Sequence, residues 1–238
     1  FSNLIIECDE RLIPLFKNSF QHYKNKFVKL GTYSSDVNEI NNFDHIIYAG
    51  SLGKYFRNDL NSFSQNPYLK SIENYKDLEL DKILNNNQDL KIGISWKSFK
   101  NRYSSEKSLS LYDFVNVLNI KNAIVFNLQY GDVKAELESF TKKQKHKIIT
   151  LHNLDMFNNF SGLANLLKNL DIFVTVSNST AHLASAIGVR TILIKPANHA
   201  SFHYWDYEDG KTPWYKSVNI ISKENLKDKN FITKLIKL

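Results

Sequence analysis

From residue 89 onward the chain alternates between two hydrophobic periods, and that alternation restricts the fold more than any other feature. Short apolar runs at Ile92–Trp96, Ala123–Leu128, Lys147–Leu151, Ile172–Val176, Thr191–Ile194 and Val218–Ile221 read as strands. Helical patterns at Leu111–Leu118, Val133–Thr141, Ser161–Asn169 and Thr180–Ala186 lie between most of them, with a last one near Asn230–Ile236. A parallel neighbour needs a crossover long enough to regain the same end of the sheet, and one helix supplies it. The expectation is an α/β fold with a doubly wound parallel sheet over residues 86–238. Residues 1–85 are less regular: a strand at Leu4–Cys8, a helix from about Leu12 to Tyr23, and a strand at Ile46–Ala49 that leads into Gly50-Ser-Leu-Gly53. The polar stretch Asp81–Asp89, with Asn85-Asn-Asn87, reads as the boundary, and 238 residues suit two modest domains.

The charge balance, 31 Lys+Arg against 24 Asp+Glu for a net +7, suits an anionic ligand. It does not choose among nucleotides, acidic lipid and nucleic acid. The densest basic run, Lys142-Lys-Gln-Lys-His-Lys147, reads as a solvated helix end, and the aromatics are not interleaved with cations on a recognisable motif. No nucleic-acid partner is expected. There is no uninterrupted apolar run of about 18 residues and no signal-peptide pattern, so at most peripheral membrane contact is expected. The single cysteine, Cys8, excludes an intramolecular disulfide and a Cys-based zinc site, and suits a reducing cytoplasm. No Asp-x-Asp pair stands at a strand end and no His/Cys cluster offers ligands, so no metal is expected.

Ligands on such sheets bind beyond the C-terminal strand ends. The residues that follow the strands are Trp96-Lys97-Ser98 with Asn101-Arg102; Gln129-Tyr130-Gly131-Asp132; Ser177 to His182; and Lys195-Pro196, then Phe202-His203-Tyr204-Trp205 and Pro213-Trp214-Tyr215. Together they have the chemistry of a nucleotide-sugar pocket: cations and a helix start for a diphosphate, polar side chains for hydroxyls, and aromatic faces for stacking. The amides of Ser179, Thr180 and Ala181 open a helix, where unpaired N–H groups carry partial positive charge, and His182 adds a side-chain donor. A plainer reading fits the same residues. Asn178 or Ser179 is then an ordinary cap and His182 a structural residue; Lys97 is solvated, Trp96 is core, and Trp205, Trp214 and Tyr215 fasten a loop.

The run Val176-Ser-Asn-Ser-Thr-Ala-His-Leu-Ala-Ser-Ala-Ile-Gly-Val189 resembles the signature of glycosyltransferase family 9, the ADP-heptose:lipopolysaccharide heptosyltransferases, and especially the relatives found behind tetratricopeptide repeats. Lys91-Ile-Gly-Ile-Ser-Trp-Lys97, Phe126-Asn-Leu-Gln129, Phe160 to Asp171 and Pro213-Trp-Tyr-Lys-Ser-Val218 resemble further segments of that family in the same order. In the first region, Ile6 to Leu15, Ser51 to Arg57 and Pro67-Tyr-Leu69 do so too. The resemblance implies a GT-B architecture of two Rossmann-like domains, the N-terminal one (residues 1–85) truncated, the C-terminal one (residues 86–238) holding the nucleotide.

It further implies a bacterial, cytoplasmic, inverting and metal-independent transferase with no cofactor. The enzyme would move a sugar from a UDP-, GDP- or ADP-sugar to a glycan, lipopolysaccharide or protein acceptor, with an upstream repeat domain as a further partner. The heptosyltransferase signature carries Asp where Ser177 stands, which points away from ADP-heptose and towards the repeat-associated branch. On this reading Ser177, Asn178, the amides of Ser179, Thr180 and Ala181, His182, Lys97 and Lys195 meet the diphosphate, and Gln129 and Tyr130 the nucleoside. Ser51, Lys54 and Arg57 lie on the acceptor side. The segment in which the family places its catalytic carboxylate has no counterpart in the chain. Asp9 and Glu10 are the candidates left, and both also read as helix-start caps. The alternative function is a non-catalytic module of the same fold that binds a nucleotide or a protein partner.

Overall fold

The computed structural model of the chain describes residues 3–73, 75–85, 89–99, 104–195, 203–205 and 209–237. The fold is mixed α/β. Among the described residues, eight strands form two parallel sheets, β1 (Ile6–Cys8) with β2 (Phe27–Lys29), and a six-stranded sheet made of β3 (Leu90–Ser95), β4 (Ala123–Asn127), β5 (Ile148–Ile149), β6 (Ile172–Val176), β7 (Thr191–Ile194) and β8 (Val218–Ile221). The helices that matter below are α1 (Ile13–Ser19), α2 (Leu78–Asn85), α3 (Lys134–Gln144), α4 (Phe160–Lys168), α5 (Ser179–Ile187), α6 (Lys223–Lys227) and α7 (Lys229–Lys237).

The large sheet runs in the order β5-β4-β3-β6-β7-β8, with every neighbouring pair parallel. The chain starts in the middle, winds outward to β5, then returns past β3 and winds outward the other way. The order reverses between β3 and β6, and that reversal leaves a crevice at their C-terminal ends.

Both faces of the sheet are covered, so the central strands are apolar on both sides. Ile92, Ile94, Ile172, Val174, Ile192 and Ile194 face Leu111, Phe114, Phe140 of α3, Leu226 of α6, and Ile232 and Ile236 of α7. Phe126, Phe173 and Leu193 face the other way, into Leu163, Leu166 and Leu167 of α4 and Ala184 and Ile187 of α5. Full burial of one such side chain contributes about 1.5–3 kcal/mol. Close packing on this second face requires Gly93: a Cβ there would stand 2.5 Å from Leu170 Cδ1 and 2.9 Å from Leu128 Cδ1. Arg190 closes α7 from outside by donating to the carbonyls of Leu235 and Ile236, whose last-turn oxygens have no helical partner.

The N-terminal region is built differently. Its sheet has two strands of three residues each, in register Ile6↔Phe27, Glu7↔Val28 and Cys8↔Lys29. It leans on the large sheet's second face, where Leu15 of α1, Leu69 and Leu80 of α2 join the core. Arg11 donates to the Phe157 carbonyl at 2.9 Å and lies over the Phe157 ring, and the Tyr68 amide donates to Ala186 O at 2.9 Å. At the end of α5, Gly188 has φ +88, and a Cβ there would sit 2.4 Å from Pro67 Cγ, so glycine both turns the helix and admits the N-terminal region.

Two sequence expectations need correction. Ile46–Ala49 is not a strand: residues 46–48 are irregular and Ala49 opens a single helical turn, and among the described residues no strand pairs with them. The helix expected to reach Tyr23 stops at Ser19 and continues as the 3-10 stretch Gln21–Lys26, which delivers the chain to β2, a strand that its three residues did not announce.

Candidate functional site

The crevice between β3 and β6 is held by one buried side chain. Asn178 follows β6 in an extended conformation (φ −149, ψ 177), and its Oδ1 accepts from Ala181 N at 3.0 Å. Its Nδ2 donates to Ser95 Oγ at the end of β3 at 2.9 Å. Asn178 is therefore both the cap of α5 and the tie between the two strands. The expected amide cradle is narrower than three residues, since Ala181 N is taken by this cap. The amides of Ser179 and Thr180 meet no acceptor among the described residues. Ser179 is exposed, whereas Ser177, Thr180 and Ala181 are buried.

His182, one turn into α5, sits against three aromatic rings: Trp205 (centroids 4.7 Å apart), Tyr204 (5.0 Å) and Tyr215 (5.9 Å). Its Nδ1 lies 3.2 Å from Tyr215 Oη. Burial, reinforced by the charges of His203 and Lys107, pushes the imidazole down to about 4. It is neutral at physiological pH, so it can donate a hydrogen bond but adds no positive charge. Burial also pushes the Tyr215 phenol far above its ordinary value.

On the β3 side, Lys97 Nζ is 2.5 Å from Glu136 Oε2, and Glu136 Oε1 accepts from the Trp96 indole at 3.1 Å. Glu136 lies in the first turn of α3, and the sequence reading missed it. The available signal was a carboxylate at a helix start just after β4, on the same sheet edge as Lys97. Trp96 itself is fully buried core. Gln129 turns inward: its Oε1 accepts from Ser95 Oγ (3.0 Å), Trp96 N (2.8 Å) and Lys97 N (2.6 Å), and its Nε2 donates to Tyr130 O (2.9 Å). Its carboxamide oxygen is taken up in shaping the β3 turn, and one of its two Nε2 hydrogens goes to Tyr130 O. Tyr130 stays half-buried against Phe99 and Phe157. Lys195 follows β7, with its amide on Ile221 O at 2.8 Å. Asn101, Arg102, Pro196 and Phe202 lie outside the described residues.

Ser51, Lys54 and Arg57 are exposed on two short helical turns, Ala49–Ser51 and Gly53–Phe56. A series of ring contacts joins them to the crevice: Arg57 over Phe63 (5.5 Å), Phe63 against Trp214 (4.8 Å), Trp214 against Tyr204 (4.8 Å), and Tyr204 against His182.

The two carboxylates considered as bases are engaged elsewhere. Asp9 caps the 3-10 turn Glu10–Leu12 and binds Arg11 through both oxygens, Nε at 2.9 Å and Nη2 at 2.7 Å. The Arg11 side chain holds this carboxyl down at about 2. Glu10 pairs with Lys29 at 2.8 Å on the surface. Asp9 serves as the cap and Glu10 as the surface pair of the plainer reading, and a carboxylate held as low as that of Asp9 is a weak proton acceptor. Among the described residues no three His, Cys, Asp or Glu side chains group to hold a metal ion, and no helix is long and apolar enough to cross a membrane.

No family model matches the chain. Protein FlbA of Caulobacter vibrioides (strain ATCC 19089 / CIP 103742 / CB 15) is 24% identical over 234 residues, which cover 93% of this chain and 38% of that protein. Among solved structures, that of Escherichia coli ADP-heptose lps heptosyltransferase II aligns over 76% of this chain and 58% of its own, with 10% identity and a TM-score of 0.46. The chain thus spans less than two thirds of the length of either.

Proposed function

We propose that this chain binds a nucleoside diphosphate sugar at the β3/β6 crevice and transfers the sugar, with inversion and without a metal, to a hydroxyl of a glycan, lipopolysaccharide or protein acceptor. One observation supports this above the others: the two uncapped amides of α5, Lys97 and the His182 ring gather where the strand order reverses. In such a transfer the acceptor oxygen bonds to the anomeric carbon as the bond from that carbon to the diphosphate oxygen breaks. One further negative charge then develops on the departing diphosphate, and the acceptor's hydroxyl proton passes to that diphosphate or to water. Amide dipoles held rigidly at a helix start, one ammonium and one neutral imidazole donor would stabilise that charge without reorganising. Residues 3–85 form the acceptor side and residues 89–237 the donor side, in the GT-B manner that the family 9 resemblance implies. Lys195 adds a cation, and Ser51, Lys54 and Arg57 meet the acceptor. A preceding repeat domain, as in the repeat-associated branch, would present that acceptor.

A second reading draws on the pairing of Asp9 with Arg11 and of Glu10 with Lys29. With both carboxylates tied, the chain would bind a nucleotide without transferring its sugar. Thermal unfolding with ADP, GDP and UDP, followed by an assay for turnover of the matching nucleotide sugars, separates the two. A raised midpoint with turnover supports transfer, a raised midpoint alone supports the binding module, and no change with any of the three removes both.

A further inference from the structure

The contact between Tyr215 and His182 goes beyond packing. We propose that Tyr215 is a positioning residue whose hydroxyl donates to His182 Nδ1, fixing the imidazole as its Nε2–H tautomer so that the ring presents a donor to a diphosphate at the start of α5. The ligand half of this inference rests on the donor-site reading above; the tautomer half does not.

A neutral imidazole carries one proton, and which nitrogen holds it is set by what the other one meets. Nδ1 meets the Tyr215 hydroxyl at 3.2 Å, while Nε2 meets no hydrogen-bond partner among the described residues. Either the phenol donates to Nδ1, or a proton on Nδ1 goes to the phenol oxygen. The imidazole nitrogen is the stronger base, so the Tyr215 proton points to Nδ1. Burial keeps the phenol protonated and the imidazole neutral, so both groups hold these roles across the physiological range.

The geometry leaves little freedom for another arrangement. Trp205 and Tyr204 pack against the ring, and Trp205 and Tyr215 stand with centroids 5.7 Å apart. The charged and titratable groups acting on the pair are His203 and Lys107 at the imidazole and Tyr68 and Tyr204 at the phenol.

Nitrogen-15 NMR of the histidine side chains reads the tautomer directly, independently of any ligand. At pH 7.5 the His182 signals should show a protonated Nε2 and an unprotonated, hydrogen-bonded Nδ1. Tyr215→Phe keeps the ring contacts and removes the donor; it should move His182 to a mixture of tautomers and weaken the tightest of ADP, GDP and UDP by about three- to tenfold. A proton found on Nδ1 in the unaltered chain, or a tautomer insensitive to Tyr215→Phe, overturns the proposal. If the tautomer behaves as stated and none of the three nucleotides binds, the tautomer assignment stands and the donor-site reading fails. If a nucleotide binds equally well to the Tyr215→Phe chain, the positioning role fails.

Discussion

The two halves of the molecule spend their hydrophobic residues differently. In residues 89–237 the apolar runs become central strands covered on both faces, and the side chains of Ile92, Ile94, Ile172, Phe173, Val174 and Ile192 are fully buried. In residues 3–85 only Leu15, Phe27, Leu69 and Leu80 are buried among the described residues, while Ile46, Ile47, Tyr48, Tyr55, Phe56 and Leu60 are exposed, Tyr48 to 81%. Two parallel strands of three residues cannot enclose a core, so the N-terminal half takes its order from α4 and α5. Apolar content alone does not make a domain; the topology has to bring a second face to each element.

That contrast can be broken by single substitutions. Phe173→Ala empties the middle of the large sheet and should cost about 3–5 kcal/mol, and no structure in the N-terminal half should outlast the loss of that sheet. Loss of the C-terminal half alone would show that the N-terminal half stands by itself. Leu15→Ala should cost about 2–4 kcal/mol, but locally. Amide exchange should quicken across residues 4–70 and stay slow in β3, β6 and β7; uniform quickening would mean the halves form one cooperative unit.

The junction sharpens the comparison through pH. His182 titrates near 4 in the fold against about 6.5 when unfolded, so the unfolded chain binds the proton first. Its neutral form contributes fully above about pH 6.5, and that contribution is lost as pH falls towards 4, by about 2–3 kcal/mol at most. His182→Gln should flatten this part of the stability–pH curve, and an equal slope in the variant would show that other groups set it. The smallest effect belongs to Asp9, held at about 2 by Arg11. Its contribution is present above about pH 4 and fades between about pH 4 and 2. Because the pair is partly exposed, screening limits it to less than about 1 kcal/mol. Asp9→Asn should lower the melting point slightly at pH 7 and not at all at pH 2, and a constant difference would point to the cap rather than the charge.

The same contrast explains what could be read from the residues alone. β6, β7 and β8 fall where their apolar runs end, since buried parallel strands are continuous apolar stretches bounded by polar turns. Ile46–Ala49 has an equally apolar run and forms no strand, because pairing is decided by partners distant in sequence. At the crevice, Asn178 was legible as a cap, for capping is local chemistry. The inward turn of Gln129 was not legible: its three donors, Ser95 Oγ, Trp96 N and Lys97 N, come from 32 to 34 positions away. The hold of Glu136 on Lys97 was hidden for the same reason, since it closes only when α3 packs beside β3.

The most direct measurement follows the backbone amide resonances of Ser179 and Thr180 while ADP, GDP or UDP is added. The account predicts that with at least one of these nucleotides both resonances move saturably. Lys97→Ala should weaken that binding more at low salt than at high salt, as expected for a partly exposed charge on a phosphate. Resonances that stay fixed with all three nucleotides, or saturable shifts confined to other parts of the chain, would contradict it.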